Sequence, residues 1–196
     1  ALVPDNEKQD DLASQWWQWP TLNTGIRMCS WADDKIKYYL VGSPATTWTS
    51  SAAVVLFCFI TLYHLIRWQR QIVDFDAQTL KLFIMGGVYP MFGWGLHFMP
   101  FVIMGRVTYV HHYLPALYFA MIVFVYIVEA FTRPLKNSSK QANKFIYAAI
   151  YASLYALMIG TFWYFRWISW GMEGPKEDWK HLKLLESWRV SDDNYV

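Results

Sequence analysis

Four long apolar stretches, separated by polar connections, dominate the pattern along this chain. They lie at residues 48–66, 82–104, 114–131 and 145–165. Each is close to the ~20 residues that a helix needs to cross the hydrocarbon core of a bilayer. Helices are required there because backbone polar groups in lipid must be paired within the segment. The stretches show no polar face at 3.6-residue spacing, which helices of a soluble bundle would need. The pattern therefore predicts an all-α integral membrane protein with four transmembrane helices.

Composition and charge support a membrane protein. Hydrophobic residues make up 55% of the chain and charged residues only 16%, with 12 Trp, 13 Tyr and 13 Phe. This balance is more apolar than that of an average soluble domain. We expect contact with membrane lipid and no nucleic-acid partner.

Basic residues mark two of the three connections and so predict orientation. The second connection holds only Arg106, whereas the other two are flanked by Arg67, Arg70 and Lys81 and by Arg133, Lys136, Lys140 and Lys144. Cytoplasmic connections carry the excess of Lys and Arg. Connections one and three are therefore predicted to face the cytosol. Both tails and the Arg106 connection are then lumenal, and the sequon at Asn137 is expected to stay unmodified.

This topology divides the chain into three segments. Residues 1–45 are predicted to form a lumenal lead-in, 46–168 the four-helix transmembrane region and 169–196 a lumenal tail. Tryptophans of and next to the lead-in suit the headgroup layer; they are Trp16, Trp17, Trp19, Trp31 and Trp48. Because the chain begins at Ala1 with a polar stretch and no initiator Met, we expect it to continue from an upstream part.

Small residues give two of the spans particular properties. The fourth span carries Ala148, Ala152, Ala156 and Gly160 at a spacing of four, a stripe (the small-residue stripe) that lets another helix approach closely. The second span contains Gly86-Gly87, Tyr89-Pro90 and Gly93-Trp94-Gly95, so it is predicted to be kinked. Such a helix either lines a cavity or is repaired by packing against the fourth span, and the sequence does not separate the two.

Ionisable residues near the cytosolic ends have structural interpretations. Glu129 precedes Arg133 by four residues, the favourable order for an ion pair on one helix face, and is assigned a structural salt bridge. His64 lies one turn from Trp68 and is expected to extend toward the headgroups. Asp33 and Asp34 form a paired acidic turn that is expected to be solvated, so no catalytic residue is assigned to this chain.

The candidate site is the segment from Arg106 to Pro115, with His111-His112 inside it and His97 in the preceding span. Arginine presents a planar, charged fork that matches phosphate oxygens, and histidines add hydrogen-bond donors. A zinc site is not expected, because consecutive histidines point in different directions in a helix or strand and no Cys or carboxylate stands at ligand spacing. The remaining alternative is that these residues only anchor helix ends to headgroups.

Several of these motifs resemble a known family. They are Trp94-Gly95-Leu96-His97-Phe98-Met99-Pro100-Phe101, Met104-Gly105-Arg106, His111-His112-Tyr113-Leu114-Pro115-Ala116-Leu117-Tyr118-Phe119 and, upstream, Trp19-Pro20, Gly25-Ile26-Arg27, Lys37-Tyr38-Tyr39-Leu40 and Gly42-Ser43-Pro44. Together they are similar to the C-terminal membrane region of dolichyl-phosphate-mannose protein O-mannosyltransferases, most of all the fungal members.

The resemblance implies the C-terminal part of a GT-C type glycosyltransferase in the endoplasmic reticulum membrane. Such enzymes transfer mannose from the lipid donor dolichyl phosphate mannose to Ser or Thr of secretory proteins, and related members pair as homo- or heterodimers. Their acidic catalytic motif lies upstream of this region. On this basis Arg106 is expected to help bind the donor phosphate, with His111 and His112 second and His97 third.

Two other functions stay open at the level of sequence. One is a non-catalytic membrane assembly module, in which the small-residue stripe pairs with another transferase subunit. The other is a transporter or channel element, suggested by the kinked second span and the intramembrane His97. Transporters usually contain repeated broken helices, and this chain has one, so the transporter ranks last.

Overall fold

A computed structural model of the protein describes residues 12–104 and 107–190. Its helices and strands are, in chain order, α1 (Gln18–Thr21), β1 (Ile26–Met28), β2 (Tyr38–Leu40), α2 (Pro44–Gln69), α3 (Ala77–Phe83), α4 (Tyr89–Ile103), α5 (Leu114–Lys136) and α6 (Gln141–Trp170). A π-helical turn, Ile84–Val88, joins α3 to α4. Two 3-10 turns, Val110–Tyr113 and Lys176–Leu182, precede α5 and follow α6.

Four helical stretches are long and apolar enough to cross a membrane. They are Pro44–Gln69, Ala77–Ile103, Val110–Lys136 and Gln141–Trp170. Each contains or nearly contains one predicted span and continues into the polar residues beside it, because helical hydrogen bonding does not stop at the edge of the apolar run. The prediction of four membrane helices is confirmed. No residue in the most apolar window of α6 is buried, whereas Ile168 near the end of the helix is.

The chain forms two compact units that do not follow the three predicted segments. The terminal unit comprises the described residues of 1–47, 101–113 and 155–196, and the helical unit comprises 48–100 and 114–154. The lead-in and the C-terminal tail, treated separately in the sequence analysis, therefore belong to one unit.

A small hairpin and the tail build the core of the terminal unit. Strands β1 and β2 pair antiparallel, and Lys37 forms a bridge to Met172 of the tail. The shared core consists of Leu22, Tyr39, Ile168, Met172, Leu182, Trp188 and Val190. Lys37 is fully buried, and its Nζ donates to the carbonyl oxygens of Gly174 at 2.6 Å and Lys35 at 3.2 Å. These carbonyls offset part of the cost of burying the ammonium group and fix the tail on the hairpin.

Aromatic rings fill the glycine gaps of the second span in the helical unit. The ring of Phe57 on α2 occupies the space at Gly87, and the ring of Tyr126 on α5 packs against both Gly86 and Gly87. Phe119 on α5 fills the corresponding space at Gly93. The irregular helix is thus repaired by packing, but its partners are α2 and α5 rather than the fourth span. Ring volume from α2 and α5 is needed there, and the small residues of α6 could not supply it.

Candidate functional site

Arg106, the leading candidate residue, and Gly105 lie outside the described residues, and the described flank begins at Val107. Two hydrogen bonds hold this flank to the lead-in. The backbone N–H of Ser14 donates to the carbonyl oxygen of Thr108 at 2.8 Å, and Oγ1 of Thr108 donates to the carbonyl oxygen of Ser14 at 2.5 Å. Both residues are buried, so the chain two residues after Arg106 has a fixed position in the terminal unit.

The side chain of Trp19 packs against this segment. Its side chain is fully buried, and its Nε1–H donates to Oγ of Ser14 at 2.8 Å. The ring lies 5.4 Å from that of Phe101 and 6.4 Å from that of His112. The expectation that Trp19 sits in the headgroup layer is wrong, because its ring is enclosed by protein and its only polar group has a protein acceptor.

The consecutive histidines stack on each other. Within the 3-10 turn the rings of His111 and His112 are 4.4 Å apart and inclined by 29°, and the ring of Tyr109 lies 5.6 Å from that of His111. The expectation that the two histidines point in different directions is wrong, since the tight turn brings both rings to the same side. His111 is exposed and His112 is half-buried. Among residues 12–104 and 107–190, no three His, Cys, Asp or Glu side chains form a group that could hold a metal ion.

His112 is oriented by the backbone of its own turn. Its Nδ1 lies 3.0 Å from the backbone nitrogen of Tyr109, and its own backbone N–H donates to the carbonyl oxygen of Tyr109 at 3.0 Å. Nδ1 also lies 3.0 Å from the carbonyl oxygen of Tyr109, and its role as donor or acceptor depends on the ring tautomer. We consider the tautomer in which Nδ1 accepts the Tyr109 N–H. The ring proton is then on Nε2, which makes the far edge of the imidazole a hydrogen-bond donor.

His97 belongs to the helical unit, apart from the His111-His112 turn. Its Nδ1 lies 2.8 Å from the carbonyl oxygen of Gly93, one turn earlier on α4, and its ring packs 5.2 Å from that of Phe119. The ring therefore covers backbone at the glycine-rich part of the helix. Its polar contact is intrahelical, which gives no support to a transport pathway.

The described carboxylates of the terminal unit are all exposed. They are Asp33, Asp34, Glu173, Glu177, Asp178 and Glu186. Asp34 pairs with Lys35 at 3.3 Å on the surface. A general base needs a position close to the proton that it removes, and often a desolvated environment that raises its pKa. The described part of this unit offers donors for an anion but no carboxylate in such a setting.

Glu129, on α5, contacts two helices. Its Oε1 lies 3.8 Å from Nε of Arg133, the predicted partner, and its Oε2 accepts a hydrogen bond of 3.1 Å from the hydroxyl of Tyr151 on α6. The second contact is the shorter one. Glu129 therefore links α5 to α6 within the helical unit, a contact that spacing along one helix does not reveal.

The small-residue stripe of α6 lies open. Ala148, Ala152, Ala156 and Gly160 are exposed, and no described atom lies within 4 Å of a Cβ placed on Gly160. Within the described residues the stripe packs against no other helix. It remains accessible to lipid or to another polypeptide.

The first connection contains a charged cluster that the sequence analysis missed. The carboxylate of Asp74 accepts from Nε of Arg67 at 2.8 Å and lies 3.0 Å from Nδ1 of His64. The hydrogen bond from Arg67, followed by that from His64, lowers the pKa of Asp74 to about 2. His64 therefore turns toward Asp74 instead of extending to the headgroups. The signal was present in the sequence, because Asp74 is the single charge between Ile72-Val73 and Phe75.

This chain is similar to part of several known proteins. A family model described as the C-terminal four TMM region of protein-O-mannosyltransferase matches residues 1–188. Dolichyl-phosphate-mannose–protein mannosyltransferase 2 of Candida albicans is 70% identical over 100% of this chain and 26% of its own length. Mannosyltransferase 3 of Saccharomyces cerevisiae is 42% identical over 98% of the chain and 26% of its length. The chain thus spans about a quarter of the length of these relatives.

A solved structure shows the same fold. It is the S. cerevisiae protein O-mannosyltransferase Pmt1–Pmt2 complex bound to the sugar donor, with a TM-score of 0.78 and 23% sequence identity. The likeness covers 95% of this chain and 24% of that one. The predicted fold class, the C-terminal membrane part of a GT-C type glycosyltransferase, is confirmed.

Proposed function

Because the chain belongs to the protein O-mannosyltransferase family, as its C-terminal four-transmembrane region, we propose that it forms the part of such an enzyme that helps to bind the donor phosphate. The donor is dolichyl phosphate mannose, and the acceptors are Ser and Thr hydroxyls of secretory proteins. The named relatives carry this donor in their names, and this chain is 70% identical to one of them. We place the whole protein in the endoplasmic reticulum membrane.

The observation that carries the proposal is the fixed position of the segment beside Arg106. Thr108 is bound to Ser14, Trp19 packs beneath the turn, and the Tyr109 backbone orients His112. A binding site gains affinity when its donors are held in place before the ligand arrives. A phosphate close to Arg106 would meet a permanent cation, with the Nε2–H of His112 as a further donor on the same short segment.

The chemistry of sugar transfer gives this segment a defined role. A hydroxyl acceptor must lose its proton to a base, and the leaving phosphate must be stabilised as its negative charge grows. The described carboxylates of the terminal unit are exposed and unsuited to the first task. Arg106 and the His111-His112 turn suit the second, and we propose that the base comes from another part of the enzyme.

Both tails are proposed to lie in the lumen. Support comes from the core in which Leu22 and Tyr39 of the lead-in contact Met172 and Trp188 of the tail. Segments that share a core lie on one side of the membrane. The basic residues around connections one and three favour the cytosol for the opposite side.

Donor kinetics of the full-length enzyme test the proposal. Arg106→Ala should raise the KM for dolichyl phosphate mannose and leave the KM for the acceptor peptide unchanged, since a desolvated charged contact is worth roughly 2 to 5 kcal/mol. Arg106→Lys should recover part of the loss. Arg166→Gln is the charge control, because the Arg166 side chain packs over Trp163 and Trp167 of its own helix. An unchanged donor KM in Arg106→Ala would leave only an anchoring role.

A second candidate function is assembly with a related mannosyltransferase. The open small-residue stripe on α6 favours it, because small residues allow close approach of a second transmembrane helix. Ala152→Leu and Ala156→Leu should reduce co-purification of a tagged partner subunit, while Ala52→Leu, at an exposed alanine of α2, should not. Equal co-purification in all variants would exclude the stripe as the contact. Donor binding and assembly are compatible, because the first uses the Arg106 segment and the second uses the small-residue stripe of α6.

A further inference from the structure

A crevice of about 740 Å³ opens in the helical unit among α2, α3 and α5, near connections one and three. Its volume lies within the range of about 300–1,000 Å³ that is usual for small-molecule sites. Apolar side chains form most of its wall: Phe59, Ile60, Phe83, Tyr126, Ile127 and Phe131. Its polar lining includes Arg133 and Asn137, near and just beyond the end of α5, and Thr79 in the first turn of α3. The crevice thus has the two-part chemistry of a lipid, an apolar body and a polar head.

The connection beside the crevice exposes large apolar side chains next to the exposed polar residues Arg70 and Gln71. The apolar side chains of Trp68 and Val73 are 72% and 82% exposed, whereas the side chain of Asp74 is only 17% exposed and turns in to Arg67 and His64. A connection in water would show the opposite arrangement. Exposed apolar side chains around a neutralised carboxylate suit the boundary between headgroups and acyl chains. The wall that His64 and Phe75 contribute to the crevice therefore borders lipid.

The positive charge of Arg133 at the crevice favours an anionic ligand. The side chain of Arg133 is about one third exposed, and its only ionic contact among the described residues is Glu129 at 3.8 Å, beyond hydrogen-bond distance. The carboxylate of Glu129 accepts a hydrogen bond from the hydroxyl of Tyr151. The carboxylate of Asp76 accepts one from the backbone N–H of Thr79. Around connections one and three the sequence has seven Lys and Arg residues and three carboxylates, so the local charge is positive.

From these observations we propose that the crevice binds an anionic phospholipid of the leaflet that contacts connections one and three. One acyl chain lies among Phe59, Phe83 and Phe131, and the phosphate lies at Arg133 and Asn137. The site is separate from the donor segment, because it belongs to the helical unit and the opposite ends of the spans. It does not depend on the proposed transfer function.

Lipid retention by the full-length protein tests this site. We would incubate the purified protein with phosphatidylserine or phosphatidylcholine of matched chains and count bound lipids by native mass spectrometry. Phosphatidylserine should bind more tightly to the wild type. Arg133→Gln should weaken phosphatidylserine about five-fold, the fold-change that corresponds to ~1 kcal/mol per basic side chain near anionic lipid. It should weaken phosphatidylcholine less, because the choline cation offsets the charge of the shared phosphate. Lys144→Gln is the charge control, because Lys144 is exposed and does not line the crevice.

Steric blocking of the crevice provides an independent test. Ala130 lines the crevice, so Ala130→Trp should abolish retention of either lipid, whereas Val125→Trp, which places the same ring on an exposed face of α5, should not. A phosphatidylserine with a photoreactive acyl chain adds a measurement on the unmodified protein, and its cross-link should map to residues 126–137. Retention by Ala130→Trp equal to wild type, absence of lipid preference, or a cross-link confined to other segments would overturn the proposal.

Discussion

Ser14 and Thr108, which are 94 residues apart, are joined by two hydrogen bonds in the interior of the terminal unit. One bond is between backbone groups, and the other uses the Thr108 hydroxyl. This pair fixes the connection that carries Arg106 to the lead-in, so the position of the candidate site depends on a residue far upstream.

Thr108→Val should destabilise the protein by about 1–3 kcal/mol, because it leaves the buried carbonyl of Ser14 without the hydroxyl donor. The change keeps the side-chain shape, so lost packing contributes little. Thermal unfolding of the full-length protein in detergent measures it. Thr161→Val is the control, since the Thr161 hydroxyl bonds only to Leu157 of its own helix. Equal stability of the two variants would show that the Thr108 contact is dispensable.

The two nitrogens of His112 should have separable roles. In His112→Asn the amide oxygen can replace Nδ1 as acceptor for the Tyr109 N–H, whereas in His112→Gln the amide nitrogen can replace Nε2–H as donor. If Nε2–H contacts the donor phosphate, the KM for dolichyl phosphate mannose should rise about five-fold or more in the Asn variant and less in the Gln variant. The reverse order would assign His112 to shaping the turn.

The glycine gaps predict a strong contrast between two similar substitutions. Gly87→Ala should destabilise the protein by about 1–3 kcal/mol, because the new methyl group collides with the ring of Phe57. Gly95→Ala is the matched control, since no described atom lies within 4 Å of its Cβ position. Phe57→Leu combined with Gly87→Ala should recover part of the loss in unfolding measurements. A loss in the double variant equal to the sum of both single losses would contradict the assigned collision.

The Asp74 cluster should respond to acid in a defined direction. Its pKa is lowered from 3.8 to about 2, so its stabilising effect is complete above about pH 4 and disappears as the pH falls toward 2. The difference in thermal stability between wild type and Asp74→Asn should therefore be constant from pH 7 to about pH 4.5 and shrink below that. A difference that already falls between pH 7 and pH 5 would rule out this origin.

The proposed topology predicts the outcome of glycosylation mapping. Asn137 should carry no glycan in the full-length protein, because its connection is assigned to the cytosol. The double substitution Asp34→Asn with Ile36→Thr creates a sequon in the exposed turn of the lead-in, and it should be modified. Sensitivity of each variant to an endoglycosidase provides the measurement. A glycan at Asn137 would invert the orientation.

The membrane helices could be predicted because hydrocarbon thickness and backbone pairing leave few alternatives for an apolar run of this length. The structure of the lead-in could not be predicted in the same way. Trp19 has the appearance of an interfacial residue until the acceptor Ser14 and the neighbour Phe101 are brought to it by tertiary packing.

At the candidate site, residue chemistry could be predicted but geometry could not. Arg106, His111 and His112 stood out because polar side chains at a membrane boundary are costly. The stacking of the two histidines depends on a 3-10 turn for which the sequence gives no strong signal. The Asp74 cluster was missed for a similar reason, since a carboxylate seven residues from Arg67 meets it only because the connection folds back.

The indole of Trp188 donates to the carbonyl oxygen of Leu22 across 166 residues, and this contact sets an order of events during synthesis. At about 5–20 residues per second, the ribosome needs roughly 8 to 33 s to make the chain between these two residues. During that interval all four spans are made while Leu22 and Tyr39 have no core to join. In the proposed topology, Leu22 and Tyr39 therefore stay exposed in the lumen, where chaperones can bind them, until the tail arrives to complete their core.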